Sequence, residues 1–346
     1  MLAKDNFTLK HLMELKQDRT VDSFILERSI YAFGLLEALC RVEMPFIFKG
    51  GTSLMLLLEK PRRLSTDIDI IVAPGTDVDH YLEEAGKIFP FEKVEQQIRK
   101  GKNSIEKRHY KYYYDSPMKG QTPFYILLDI LFEENHYSNV IRKPIRNELL
   151  ITEEPYYEVS LPSVDCILGD KLTAFAPHTT GIPFGVDKEL EIIKQMYDIA
   201  SLTDVTENFE DVHQSYIGTV STEIRYRGID ALAEDVLRDT LEAAACIASR
   251  GQYGGDYASY LQGIKSIVTH IYDERFSAEK AAVMACKVMH IAACVMKNVP
   301  YVQIEDCSAY IKADIGFSRY SKLSKLRKFN AEGFAHIVKA IEILNE

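Results

Sequence analysis

Hydrophobic and polar positions change rhythm along this chain. Up to about residue 202, short apolar runs alternate with helical segments; later, helical spacing dominates. Ile25, Leu26, Ile30, Phe33, Leu36 and Leu39 form one helical stripe, so a helix is expected from a cap at Asp22 or Ser23 to about Cys40. A short polar helix is expected before it, over 7–18. Residues 45–48 read as a strand, Gly50-Gly51 as the turn out of it, and Thr52-Ser53 as the start of a leucine-rich helix that Pro61 ends. Strands are expected over 67–72, 91–98 and 105–114, with a helix over 78–88. Phe124 to Phe132 is a strong strand, and Asp129 is its only charge. The stretch from Pro144 to about Pro162 reads as irregular. A helix from 163 or 164 to Phe175, a loop from Pro177 to Pro183 and a helix capped by Asp187 complete the first part. Helices over 229–250, 256–272, 277–297 and 331–344 follow. The change of rhythm places a boundary near residue 202, between an α/β domain (1–202) and a helical domain (203–346).

Composition narrows the class. With 346 residues and 47% hydrophobic content the chain can bury a sizeable core. A net charge of −10 means that any nucleic acid must be met by a local basic patch. The six cysteines are scattered without a Cys-x-x-Cys pair, which argues against structural zinc and disulfides. The chain start has no apolar signal-peptide core. The apolar stretch Ala281 to Met296 is interrupted by Lys287 and His290 and is too short to span a bilayer. A cytoplasmic protein with no membrane partner is expected.

Candidate chemistry lies in Lys49-Gly50-Gly51-Thr52-Ser53-Leu54 and in Ser65-Thr66-Asp67-Ile68-Asp69. Asp67 and Asp69 sit at i and i+2 in a strand, so they share a face, while Ile68 and Ile70 take the other. A core does not require two adjacent like charges, whereas a divalent cation does; the competing reading is an acidic strand end. Asp129, alone in an apolar run, needs a partner, which a shared metal or a neighbouring arginine would supply. Gly50, Gly51, Thr52 and Ser53 can hold phosphate by backbone N–H groups and hydroxyls at a helix start; an ordinary capped turn explains them equally well.

These residues resemble a known family. Gly50-Gly51-Thr52-Ser53-Leu54 and Arg63-Leu64-Ser65-Thr66-Asp67-Ile68-Asp69 are similar to the first two motifs of the AbiEii-type nucleotidyltransferase toxins, in the polymerase-β-like superfamily. Gly169-Asp170-Lys171-Leu172-Thr173-Ala174 resembles the third motif and Lys194-Gln195-Met196-Tyr197-Asp198-Ile199 the fourth. The motifs fall in family order over about residues 46 to 200. Two positions depart: Leu56 stands where many members carry lysine, and Gln195 where aspartate is usual.

The resemblance implies a polymerase-β-like α/β fold with a small mixed sheet, followed by an α-helical domain. It implies transfer of a nucleoside monophosphate from an NTP to an acceptor, RNA and specifically the tRNA 3′ end, within a toxin–antitoxin or abortive-infection system with a cognate antitoxin. Two Mg²⁺ ions, about 3.5–4 Å apart in such centres, would be held by Asp67, Asp69 and Asp129. Gly50, Gly51, Thr52, Ser53, Arg63, Lys171, Lys194 and Asp198 would handle the nucleotide. Alternatives are transfer to a small molecule or protein, or a nucleotide-binding regulator with little catalysis. His178 is assigned no role. The basic strand Lys107 to Lys111 and the segment from Lys312 to Lys328 could meet an RNA backbone, and Tyr112 to Tyr114 could stack bases; solvated basic faces explain both equally.

Overall fold

The computed structural model describes residues 1–97, 106–118, 124–272 and 274–345. Residues 98 and 105, at the ends of two expected strands, lie outside them. The chain forms two compact units. The first comprises Met1–Asn135, Asn139–Ser163 and Thr269–Glu274, and the second His136–Ser138, Val164–Val268 and Arg275–Glu346.

In the first unit, α1 (Leu9–Lys16) and α2 (Ser23–Arg41) precede the sheet. Asp22 starts α2: its Oδ1 accepts from the Phe24 and Ile25 amides at 2.8 and 3.1 Å, a cap worth about 1 kcal/mol. Then come β1 (Ile47–Lys49), α3 (Gly50–Leu57), β2 (Ile68–Val72), α4 (Asp79–Ala85), β3 (Phe91–Gln97), β4 (Lys107–Tyr114) and β5 (Phe124–Phe132). The five strands form one sheet in the order β1-β2-β5-β4-β3. Only β2 and β5 run parallel; the other neighbours are antiparallel, so the sheet is mixed.

Alternation decides the two faces. Ile68, Ile70, Tyr112, Ile126, Leu128 and Ile130 are buried on one face, which α2 helps to cover. Asp69, Leu127, Asp129 and Leu131 lie on the other, half-buried face. A two-stranded ladder, β6 (Val140–Pro144) with β7 (Glu158–Pro162), completes the unit. The segment expected to be irregular therefore contains a strand, because β7 pairs antiparallel with β6 between the flanking prolines.

The second unit is helical: α5 (Val164–Ala174), α6 (Glu189–Thr203), α7 (Phe209–Arg227), α8 (Ala233–Ala248), α9 (Tyr257–Ile267), α10 (Ala278–Lys297) and α11 (Ala331–Leu344). The units part between Ser163 and Val164, whereas the sequence changes rhythm near 202. The cause is packing: α5 lies on α7, and α6 on α9 and α10. At Gly169 a Cβ would stand 2.3 Å from the Val212 carbonyl oxygen, so α5 and α7 approach at backbone distance. Asp187 does not cap α6. It has a φ of 55°, and Lys188 is the N-cap, without a side-chain bond. Between α10 and α11, His290 Nδ1 meets His336 Nδ1 at 3.1 Å. Burial drives both imidazole pKa values down, to about 4 and about 3. The six cysteines are free thiols, four of them buried. Among the described residues no helix is long and apolar enough to cross a membrane.

Candidate active site

A single register row crosses all five strands of the sheet. Lys49 pairs with Asp69, Asp69 with Asp129, Asp129 with His109, and His109 with Gln97. Each of these five residues is polar. Residues paired across neighbouring strands present their side chains on one face. The parallel pairing of β2 with β5 therefore sets the carboxylates of Asp69 and Asp129 side by side. Asp129 Oδ1 lies 2.6 Å from His109 Nδ1. An ionised carboxylate only accepts, so the ring nitrogen is the donor.

The turn before the carboxylates is built around glycine. Gly50 has a φ of +79°, and a Cβ there would stand 2.0 Å from Asp69 Oδ2. A Cβ on Gly51 would meet the Arg63 Nη2 and Ser65 Oγ atoms, each at 2.8 Å. Both positions thus lack room for a side chain because site residues occupy it. The Thr52 hydroxyl donates to the Asp67 carbonyl at 2.6 Å and the Ser53 hydroxyl to the Gly50 carbonyl at 2.8 Å. Both residues are fully buried. Their hydroxyls, expected to hold phosphate, brace the turn, so the donors suited to an anion are backbone amides. Lys49 provides no side-chain cap to α3, and the first amides of a helix have no intrahelical partner. Leu56, at the departure from the first motif, is buried.

Asp67 lies just before β2. Its Oδ1 is 3.4 Å from Arg28 Nη2 and 3.2 Å from the Thr66 hydroxyl. Arg28 comes from α2, and no feature of the helix sequence marks it out. Arg63, expected to touch phosphate or steer the carboxylates, is buried beneath Gly51 with Nη1 bonded to the Leu64 carbonyl. Among the described residues, no three His, Cys, Asp or Glu side chains gather into a group that could hold a metal by themselves. Mg²⁺ is usually bound by only one or two carboxylates, with phosphate oxygens and water completing its shell. The adjacent pair Asp69 and Asp129 fits that requirement.

The remaining predicted residues lie in the second unit. Lys171, on α5, is buried; its Nζ is 3.0 Å from Asp198 Oδ2 and donates to Gln195 Oε1 at 2.8 Å. Asp198 thus meets Lys171 across helices. Lys194 Nζ donates to Glu191 Oε1 at 2.8 Å. Gln195, the departure from the fourth motif, helps to hold Lys171.

His178 is held in the same unit. Its ring nitrogens lie 2.9 Å from Asp239 Oδ1 and 3.1 Å from Asp256 Oδ2. Burial alone would depress its pKa, but the Asp239 hydrogen bond and the two negative charges outweigh that and raise it. A histidine fixed at both nitrogens is a structural tie. Of the tyrosines expected to stack bases, Tyr112 and Tyr114 are buried on the other side of the sheet and Tyr113 is half exposed; strand alternation leaves one of the three able to stack.

No curated protein matches the chain. The family model described as Nucleotidyl transferase AbiEii toxin, Type IV TA system, matches residues 35–277. That span contains the five-strand sheet and the carboxylate pair. It also contains Lys171 and Asp198, and it runs past the four motifs through α7, α8 and α9. The chain therefore belongs to the AbiEii family of nucleotidyl transferase toxins of type IV toxin–antitoxin systems and is a nucleotidyltransferase.

Proposed function

We propose that this chain moves a nucleoside monophosphate from an NTP to RNA, at the 3′ end of tRNA, in a Mg²⁺-dependent reaction in the cytoplasm. The acceptor hydroxyl oxygen bonds to the α-phosphorus, the α–β phosphoanhydride bond breaks, and pyrophosphate leaves. The observation that carries this reading is the placement of Asp69 and Asp129 as register partners on parallel strands, next to the glycine turn that opens α3. Of the three carboxylates Asp67, Asp69 and Asp129, the adjacent pair Asp69 and Asp129 would hold the metal, with Asp67 at the entry to β2 supporting it. Bound Mg²⁺ would offset the negative charge that builds on the phosphates. Asp129 also accepts the proton of the attacking acceptor hydroxyl. The amides of Gly50, Gly51, Thr52 and Ser53 receive phosphate oxygens at the positive end of α3.

Arg63 braces that turn from below. Lys171 has three N–H donors, of which Asp198 and Gln195 take two; we assign its charge to neutralising the triphosphate. Lys194 adds positive charge to the same task. With the lysine of the first motif replaced by Leu56, these two carry more of the neutralisation. We assign the transfer machinery to residues 1–202, with 203–346 as an accessory helical part. A cognate antitoxin restrains the activity.

The test is incubation with each labelled triphosphate, Mg²⁺ and total RNA, beside the D69N variant. Label in tRNA that disappears with D69N supports the proposal. Label in the protein itself would replace it with protein modification. Tight triphosphate binding without transfer to any acceptor would leave a nucleotide-binding regulator.

A further inference from the structure

We propose that His109 is a positioning residue for Asp129: its Nδ1–H fixes the carboxylate so that Oδ2 is held toward metal and acceptor. The inference rests on the reading of Asp129 as part of the catalytic centre. His109 belongs to none of the four motifs that mark the family in this sequence, and it comes from a different strand.

Three observations support it. First, His109 and Asp129 are direct register partners on β4 and β5. Both ends of the hydrogen bond are therefore anchored in a ladder and cannot drift independently. Second, the contact is short, 2.6 Å, and joins Nδ1 to one particular oxygen, Oδ1. A carboxylate in the middle of an apolar strand would otherwise rotate about its terminal torsion, which is broad and roughly two-fold. Third, the His109 side chain is only 16% exposed and that of Asp129 31%. The imidazole is thus largely withdrawn from water, while the carboxylate keeps the partial exposure that a bound metal or acceptor needs.

The choice of residue is informative. On the same face, β4 places Lys107 and Lys111 two residues to either side. A lysine at 109 would oppose Asp129 with a mobile point charge. An imidazole offers a directed N–H on a short, stiff side chain. Partners that orient a ligating group in this way are typically worth about 10–100-fold in metal affinity or activity.

The experiment measures binding of Mn²⁺ itself by electron paramagnetic resonance, on the full chain with a non-hydrolysable triphosphate, alongside steady-state transfer. The variants are H109L, H109N and D129N. H109L is expected to weaken Mn²⁺ binding by about 10–100-fold and to lower kcat while leaving KM for the triphosphate close to wild type. H109N, whose amide nitrogen can donate from near the Nδ1 position, is expected to restore most of both. Recovery by asparagine separates positioning from mere filling of space. If H109L does not fold, failure of H109N to bind Mn²⁺ like the wild type overturns the inference. Wild-type Mn²⁺ affinity in H109L beside a loss in D129N overturns it while sparing the role of Asp129. Wild-type affinity in D129N overturns both.

Discussion

Gly50→Ala puts the construction of the site to a quantitative test. The backbone at Gly50 has a φ of +79°, and an L-residue in that region costs about 1–2 kcal/mol. The added methyl would stand 2.0 Å from Asp69 Oδ2, 2.8 Å from its Cγ and 2.9 Å from its Cβ. The carboxylate must swing aside, and an off-rotamer side chain costs about 0.5–1.5 kcal/mol. Together these give about 1.5–3.5 kcal/mol, or roughly 3–14 °C in Tm. The rate should suffer more, because a misplacement of about 1 Å can cost about 10²-fold. Thermal denaturation and the initial rate of labelled nucleotide transfer read the two effects separately. Adding Asp69→Ala to Gly50→Ala removes the two nearest clashing atoms. The double variant should recover the steric share of the stability, about 0.5–1.5 kcal/mol, and none of the activity. Wild-type Tm and rate in Gly50→Ala would refute the reasoning, as would strict additivity in the double variant.

Two further outcomes are expected. Asp198→Ala leaves the buried Lys171 ammonium with Gln195 as its remaining partner named above, and should destabilise by about 3–5 kcal/mol in urea denaturation. The joint replacement Lys171→Met with Asp198→Leu should cost clearly less, and an equal loss would contradict the argument. The His290–His336 pair makes the protein acid-sensitive. Both native pKa values lie below the ordinary 6.5, so between about 6.5 and 4 the unfolded chain binds more protons and stability falls as pH falls. His336→Asn should flatten the Tm–pH curve in that window, and an unchanged slope would count against the pair as its cause.

Much of the sheet was legible because its strands follow simple alternation. Phe124–Phe132 has the bounds that its pattern predicts, and the Gly50 turn follows an apolar run and precedes a leucine-rich helix. The elements that were missed have weaker periodicity. In α7 the buried face consists of Asp211, Val212, Ser215, Tyr216, Thr219 and Val220. Its spacing is helical, but hydroxyls and β-branched residues replace the leucines that would reveal it. β7 is short and ends at a proline, and only its partner β6 makes it a strand. The Asp67–Asp69 spacing was visible as a pair, but the neighbour that Asp69 acquires is Asp129, through a parallel pairing that local sequence cannot encode. His109 and Arg28 come from another strand and from a helix, and their positions depend on register and packing. Asp198 meets the buried ammonium of Lys171 on α5 for the same reason: a contact between helices leaves no mark in the spacing within either one.

The register row across the sheet also bears on when the protein becomes competent. Asp69 and Asp129 meet only through the parallel β2–β5 pairing, with two strands and a helix between them in the chain. Closure of such a non-local contact is slow compared with hairpin or helix formation. A one-residue slip in β5 would bring Leu128 or Ile130 opposite Asp69 and turn Asp129 to the other face. On the proposed role of the carboxylate pair, chemistry in this chain is a property of completed folding, and a fragment ending before β5 is expected to transfer no nucleotide.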